Sequence, residues 1–169
     1  MTLEQNKQAV LEAFRVIETG DTAVADRIIA PDFINREADD DPNRPDGGLR
    51  GSASLIATSR WFSETFSDLR FDHHEMVAED ERVVLVTTMT GTHTGTLNGI
   101  PPTRKRFQQR QFHLYRMRAG QIVEVGSQHR QPVPVLHIGD VCFGSKSKAR
   151  KLDRPSRVRV AAVSAHETI

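Results

Sequence analysis

Three polar side chains that could do chemistry lie on one face of a strand predicted over residues 106–117. Gln111, His113 and Tyr115 share this face, because the side chains of a strand point alternately to its two sides. Near neutral pH an unprotonated imidazole can accept a proton or donate a hydrogen bond. The spacing therefore predicts His113 as a candidate acid or base, with Gln111 and Tyr115 binding a ligand. The alternative is a strand histidine whose ring is satisfied by a neighbour or by solvent.

The other histidines give weaker indications. His73 and His74 are adjacent in an earlier strand and point to opposite faces, so only one of them can face the interior. The alternative for either is a surface histidine on a half-exposed strand. His93 lies in a glycine-bounded bend, which predicts a structural position or a place at a pocket rim. No two histidines have the i, i+4 spacing of a helical metal site with a third ligand nearby, so the pattern predicts no metal.

Four aromatic side chains are candidates for the walls of an apolar pocket. They are Phe14, Trp61, Phe62 and Tyr115. Phe14 and Phe62 lie on apolar faces of predicted helices, where packing in the core is the favoured alternative. Apolar walls with a few polar groups are typical of small-molecule sites, so the set predicts a ligand that is mainly apolar.

Two helices are predicted at the start of the chain. Thr2 and Gln5 have the form of a capping box, and apolar residues then recur at helical spacing as far as Gly20. Asp21 can cap a second, shorter helix. Pro31 is expected to end that helix, because proline lacks the N–H that a continuing helix needs.

A long loop and a third helix follow. Residues 37–51 are rich in Asp, Pro, Gly and Arg and have no apolar period, which predicts a loop. Long loops in compact domains often border functional sites, so this segment is expected near the pocket. Residues 52–66 carry apolar side chains along one face and are predicted to form the third helix.

The period then changes from helical to that of strands. Residues 69–78 and 83–94 are predicted to form a hairpin, and residues 106–117 and 121–124 to form two further strands. Helices followed by antiparallel strands specify an α+β fold. We expect a cone-shaped, curved antiparallel sheet wrapped around three N-terminal helices.

Charge and composition divide the chain in two. From Phe143 onward there are seven basic and two acidic residues, which leaves the preceding 142 residues with a net charge of −4. Pro132 and Pro134 interrupt any strand beyond Glu124. We therefore predict a domain over residues 1–130 and a basic, disordered or irregular tail over residues 131–169. The acidic body argues against nucleic acid as a ligand, because phosphate recognition depends on a basic face.

Further features concern the compartment. The chain has no long apolar run, which excludes a membrane span, and its start lacks the basic and apolar stretch of a secretory signal. Cys142 is the lone cysteine, so it cannot form an intrachain disulfide or build a zinc site by itself. These features predict a cytoplasmic protein.

Short phrases along the chain carry a family resemblance. They are Asn6-Lys7-Gln8-Ala9-Val10, Gly20-Asp21, Ala30-Pro31-Asp32-Phe33, Phe66-Ser67-Asp68-Leu69-Arg70-Phe71, Gly91-Thr92-His93-Thr94-Gly95 and Gly99-Ile100-Pro101-Pro102-Thr103. In this order and at these spacings, residues 3–124 resemble the SnoaL-like polyketide cyclases, or ester cyclases, of the nuclear-transport-factor-2-like superfamily.

The resemblance implies an intramolecular aldol reaction that closes a ring. Such a reaction needs a base that removes a proton alpha to a carbonyl, polar groups that stabilise the enolate, and apolar walls. It implies no metal and no organic cofactor, and a homodimer that pairs through sheet faces. It places Asn35 at the pocket mouth as a donor to a carbonyl, with Arg36 where relatives carry histidine, and it favours His74 over His73 as the inward histidine.

One departure from the family concerns its acid or base. The family has an aspartate on the last strand, in a phrase like Glu-His-Trp-x-x-x-Asp, whereas this chain has Arg130 near the place of that aspartate. A guanidinium stays protonated and cannot act as a base. One set of codons for residues 125–133, read one base later, encodes Trp-Ala-Ala-Asn-Thr-Asp-Asn-Leu. A shifted reading frame from Val125 onward is therefore a hypothesis, which resequencing the gene tests.

The sequence leaves three functions open. The first is an ester or polyketide cyclase acting on a small apolar carbonyl compound, with His113, His74 and Asn35 as candidate catalytic residues. The second is a ligand-binding or dimerising module without catalysis, since the family aspartate is missing. The third is an isomerase or an epoxide hydrolase, because one fold can host several chemistries.

Overall fold

The structure is a computed structural model, which describes residues 2–42 and 44–126 and the backbone of residues 136–138, 141–144 and 147–151. Those last three segments form a small antiparallel sheet in the order β6-β7-β8, with β6 at Leu136–Ile138, β7 at Val141–Gly144 and β8 at Ser147–Lys151. The predicted boundary at residue 130, the site of Arg130 and most of the tail lie outside the described residues. The division into a domain and an irregular tail therefore stays a prediction.

The first helix, α1, covers Leu3–Thr19 and confirms the predicted capping box. The backbone N–H of Gln5 donates to the Thr2 hydroxyl oxygen, and the N–H of Thr2 donates to Oε1 of Gln5. Gly20 ends the helix at φ 71°, a left-handed conformation that glycine adopts at little cost. Local sequence thus sets both ends of α1.

The second helix, α2, covers Thr22–Ile28, and the prediction that Pro31 ends it is wrong. The chain leaves the helix at Ile29 and forms a strand, β1, over Ile29–Asn35, with Pro31 inside it. β1 is an edge strand, where proline is tolerated because one side of the strand makes no ladder hydrogen bonds. A short helix, α3, at Arg36–Asp39 and a long one, α4, at Ser52–Thr65 follow.

The sheet confirms the α+β prediction and adds a parallel edge. Its order is β1-β5-β4-β3-β2, with β2 at Phe66–Glu79, β3 at Arg82–His93, β4 at Arg106–Arg118 and β5 at Gln121–Gly126. Neighbours from β2 to β5 pair antiparallel, whereas β1 pairs parallel with β5. Register shifts in β2 near Ser67 and His73 mark irregularities of the kind that bend a strand. The sheet curves over the helices.

The core lies between the helices and the inner face of the sheet. Val10 and Val16 of α1 and Leu85 and Ile122 of the sheet are fully buried there. A second apolar cluster around Phe66 joins the end of α4 to β3 and β4. In the described part of the chain, no helix combines the length and the apolar character needed to cross a membrane.

Gly95 has a strict steric reason to be glycine. Its N–H donates to the carbonyl oxygen of Thr65 at 2.8 Å, and a Cβ built at Gly95 would lie 1.9 Å from the carbonyl oxygen of Glu64. Such a contact forces the end of α4 and the loop after β3 apart. We expect Gly95→Ala to lower the free energy of unfolding by about 1–3 kcal/mol, measured by urea denaturation. Thr96→Ala, at an exposed neighbour, is the control, and equal stability of the two variants would contradict this account.

Candidate active site

A cavity of about 100 Å³ lies between α1, α4 and the inner face of the sheet. Its walls are mostly apolar, and its polar groups come from β1, α3, β4, α4 and the loop that precedes α4. The lining residues used below are Phe14, Asn35, Glu37, Arg44, Thr58, Phe62, Gln111, His113 and Tyr115. The loop predicted near the pocket thus contributes directly to its wall.

An imidazole and a carboxylate face each other in this cavity. Nδ1 of His113, on β4, lies 2.9 Å from Oε1 of Glu37, on α3. The His113 side chain is 11% exposed and that of Glu37 33%, so water has limited access to the imidazole. A carboxylate at Nδ1 fixes the ring orientation and favours a proton on that nitrogen. Nε2 is then the nitrogen available for proton transfer.

Asn35 holds Glu37 in place through the backbone. Its Oδ1 accepts from the N–H of Ala38 at 3.2 Å and so caps α3, the four-residue helix that carries Glu37. Its Nδ2 donates to Oγ1 of Thr58 on α4 at 3.4 Å. Asn35 is buried, and its side chain therefore ties β1, α3 and α4 together beside the cavity.

The side-chain amide of Gln111 contacts the second imidazole nitrogen of His113. Nε2 of His113 lies 3.3 Å from Oε1 of Gln111, while the Gln111 amide nitrogen lies 3.9 Å from Sδ of Met89. Oxygen atoms therefore face both ring nitrogens of His113, an arrangement that suits an imidazole donating from both. Rotating the Gln111 amide by 180° would present an N–H to Nε2 and leave a neutral imidazole as the base. The amide orientation thus selects between an acid and a base at this position.

The electrostatics of the cavity keep charge on Glu37 and a proton on Tyr115. Burial raises the pKa of Glu37, but the nearby His113 and Arg44 outweigh burial, and the net direction is downward. Burial, followed by the charge of Glu37, raises the pKa of Tyr115 well above its ordinary value. The cavity therefore holds a carboxylate next to an imidazole, together with a neutral phenol that can donate a hydrogen bond.

A buried ion pair holds an arginine of the cavity wall in place. Nε and Nη2 of Arg44 donate to the two carboxylate oxygens of Asp46 at 2.7 and 2.6 Å, and the Thr58 hydroxyl donates to the same carboxylate. Asp46 is fully buried, and the Arg44 side chain is 11% exposed. The guanidinium carbon lies 4.2 Å from the centre of the Trp61 ring and 5.8 Å from that of Phe62. Arg44 is thus held by a carboxylate and by aromatic rings.

The structure brings most of the predicted residues together. Six of them line the cavity: Phe14, Asn35, Phe62, Gln111, His113 and Tyr115. Trp61 is not a lining residue but stacks under Arg44. Phe14 is both core and cavity wall, since it is 3% exposed and its ring meets that of His113 edge to face.

The two adjacent histidines are placed opposite to the prediction. His73 contacts the Phe14 ring, with centroids 4.9 Å apart, whereas Nε2 of His74 lies 2.7 Å from the Thr88 hydroxyl and outside the cavity lining. Burial is the main reason that the pKa of His73 is lowered. His73 shares the face of Phe71, whose ring also contacts Phe14, because the irregular register of β2 begins only after His73. Simple alternation therefore gives the observed face, whereas the family resemblance favoured the neighbouring histidine.

Three polar lining residues were missed from the sequence. Glu37, Arg44 and Thr58 have no period or motif that marks them. For Glu37 and Arg44 the only signal was the expectation that the loop over residues 37–51 borders the pocket, and Thr58 on α4 had none. His93 is fully buried and its Nδ1 lies 3.1 Å from the Thr103 hydroxyl, which agrees with a structural position. Among the residues the structure describes, no group of His, Cys, Asp or Glu could hold a metal ion.

A curved sheet that closes over N-terminal helices around an interior cavity defines the nuclear-transport-factor-2-like fold. TsrD from Streptomyces laurentii shares it at 21% identity and TM-score 0.63, over 75% of this chain and 88% of that one. An NTF2-like protein from Burkholderia thailandensis does so at 22% identity and TM-score 0.55, over 74% and 88%. At these identities the likeness shows the fold.

Sequence comparison gives the family. The chain belongs to the SnoaL-like polyketide cyclase family, whose model matches residues 7–129. It is 31% identical over 106 residues to the nogalonic acid methyl ester cyclase of Streptomyces nogalater, which covers 62% of this chain and 75% of that relative.

Proposed function

We propose that this protein is an ester cyclase that closes a ring by intramolecular aldol condensation, with His113 as the base. The observation that carries the proposal is the Glu37–His113 pair in an apolar cavity, with Nδ1 and Oε1 at 2.9 Å. The family and the named activity of the Streptomyces nogalater relative support the same reaction class. The proposed base does not depend on the family aspartate, whose place lies outside the described residues.

The proposed reaction needs one proton to move twice. Nε2 of His113 removes a proton from the carbon alpha to one carbonyl, and the resulting enolate carbon attacks a second carbonyl of the same molecule. A carbon–carbon bond forms, and the new alkoxide takes the proton back from the imidazolium. Glu37 holds the ring and stabilises its positive charge. Atoms and charge balance without a cofactor.

The size of the cavity limits what enters it. About 100 Å³ is smaller than the roughly 300–1,000 Å³ of typical ligand pockets. We propose that the cavity takes the reacting end of the substrate, a small apolar carbonyl segment, while any further rings lie outside it. A substrate binding fully inside requires the loop before α4 to move.

The test is turnover of a methyl ester of the kind named for the relative. Purified protein is incubated with nogalonic acid methyl ester, and ring closure is followed by chromatography and mass spectrometry against a buffer blank. The expected result is a rate that scales with protein concentration. Binding without ring closure, seen by calorimetry, would reject the cyclase and favour the second function.

That second function is a ligand-binding module without catalysis. The observation that favours it is Oε1 of Gln111 at 3.3 Å from Nε2 of His113, because an imidazolium between two oxygen acceptors is not a base. The two functions differ in the protonation state of the His113 imidazole, which nitrogen NMR of the ring measures directly. An isomerase or an epoxide hydrolase would use the same pair on another substrate, and no particular contact favours either.

The homodimer and the cytoplasmic location stay predictions. The outer face of the sheet supports pairing of two copies, because Phe112 is 56% and Val77 65% exposed there. Exposed apolar side chains on a sheet face are typical of a protein–protein contact. Size-exclusion chromatography with light scattering measures the oligomeric state directly.

A further inference from the structure

We propose that Arg44 binds the anionic oxygen of the enolate, and that the ligand class of this site is therefore an enolisable 1,3-dicarbonyl compound. This inference rests on the proposed function, since it assigns the oxyanion partner for a deprotonation that His113 performs. Arg44 would act on the ligand itself rather than through another residue. The position of Arg44, its rigidity and the charges around it support this assignment.

The guanidinium of Arg44 lies at the cavity that contains the proposed base. Arg44 lines the same cavity as His113 and Glu37, so its guanidinium shares the space into which a carbonyl oxygen would enter. Its side chain is 11% exposed, which places a permanent cation where water has little access. Hydrogen bonds from charged donors to an oxyanion are stronger in such a place than in water.

Rigidity follows from the neighbours of the guanidinium. Nε and Nη2 of Arg44 donate to the carboxylate of Asp46. The guanidinium carbon of Arg44 lies over the Trp61 ring, 4.2 Å from its centre. A guanidinium has five N–H donors, so the contacts with Asp46 occupy one edge and leave further donors for a ligand. A donor already held in position loses little freedom when the ligand binds.

Charge selects the ligand class. Asp46 balances Arg44 and Glu37 balances a protonated His113, so the cavity is close to neutral after His113 takes a proton. An enolate of a 1,3-dicarbonyl spreads its charge over two oxygens in one plane, which matches a planar, delocalised cation better than a localised alkoxide does. The apolar walls accept its carbon skeleton.

The experiment uses acetylacetone, a small 1,3-diketone whose enolate has its own ultraviolet band. Two quantities are measured on the full chain: the fraction of bound diketone present as enolate across a pH series, and the rate at which its central protons exchange with deuterium by NMR. The enolate fraction measures how strongly the site stabilises the anion, and the exchange rate measures the action of the base. Wild type is expected to show the enolate at a lower pH than free acetylacetone does.

The decisive variant is Arg44→Gln combined with Asp46→Asn, which removes the donor without changing the net charge of the pair. Its enolate-to-diketone ratio at fixed pH is expected to fall about 10-fold to 100-fold, the range expected for a charge-assisted hydrogen bond. Arg44→Lys keeps the positive charge, so its enolate-to-diketone ratio should fall by a smaller factor. Arg60→Gln, at an exposed arginine of α4, is the matched control and should leave the ratio unchanged.

The outcomes separate this inference from the proposed function. In His113→Asn the bound diketone should still form its enolate at a lower pH than free acetylacetone does, whereas the rate of deuterium exchange should fall. If the double variant melts as a folded protein and keeps the wild-type ratio, Arg44 does not bind the anion, whatever the exchange rate shows. If His113→Asn keeps the wild-type rate of deuterium exchange, the base is another group. The enolate-to-diketone ratio of the Arg44 and Asp46 double variant still decides whether Arg44 binds the anion.

Discussion

Replacing His113 by asparagine is expected to lower the rate of alpha-proton exchange and of ring closure by about 10²–10⁴-fold. Asparagine keeps a polar group of similar size next to Glu37 but has no nitrogen that accepts a proton at working pH. Ligand binding should change little, because the apolar walls remain. Deuterium exchange of a bound ketone and cyclisation of a methyl ester measure the two rates separately.

The matched control for that substitution is His74→Asn. His74 is hydrogen-bonded to Thr88, outside the cavity lining, so the same change there should leave both rates close to wild type. Glu37→Gln should give an intermediate loss, since it keeps a hydrogen-bond acceptor at Nδ1 but removes the charge that stabilises the imidazolium. Equal rates for the His113 and His74 variants would remove His113 from the mechanism.

Replacing Asp46 by alanine is expected to lower the free energy of unfolding by about 3–5 kcal/mol, because it leaves the buried Arg44 without its carboxylate. Urea denaturation measures the change. The control is Asp32→Ala: Arg118 pairs with Asp32 at the same 2.6 Å, but the Asp32 side chain is 62% exposed and that of Asp46 is fully buried. Exposed pairs are weak, so no measurable change is expected for Asp32.

The pH dependence of the Asp46 effect has a defined sign. Burial raises the pKa of Asp46, but the hydrogen bonds from Arg44 and Thr58 outweigh burial and lower it. A lowered carboxyl pKa contributes stability above the unfolded value and loses it as the pH falls through the folded value. The stability gap between wild type and Asp46→Ala should therefore shrink below about pH 4. A gap that widens in acid would contradict the assignment of a charged Asp46.

Much of the scaffold could be predicted because local signals determine it. The capping box at Thr2, the left-handed stop at Gly20 and the strict alternation of β4 each follow from a few neighbouring residues. The alternation in β4 is also the reason that Gln111, His113 and Tyr115 were placed on one face, and the structure puts all three at the cavity.

The rest depends on contacts between residues far apart in the chain. Pro31 looks like a helix stop in the sequence, whereas the structure tolerates it in β1 because that strand lies at the sheet edge. The partners of Glu37 and Arg44 cannot be read from a loop without periodicity, since only the folded chain brings β4 next to α3.

The pairing of β1 with β5 sets the order in which this site can assemble. Asn35 pairs with Val125 in the sheet, and Arg36 contacts Glu124, 88 residues further along. Closing so long a loop is entropically costly before the contacts that stabilise it have formed, so this pairing is expected late in folding. During synthesis, α1 and the hairpin of β2 and β3 can form on the ribosome. We expect the carboxylate of Glu37 to reach the His113 imidazole only once β5 has paired with β1, so a chain that stops before β5 should lack the proposed catalytic pair.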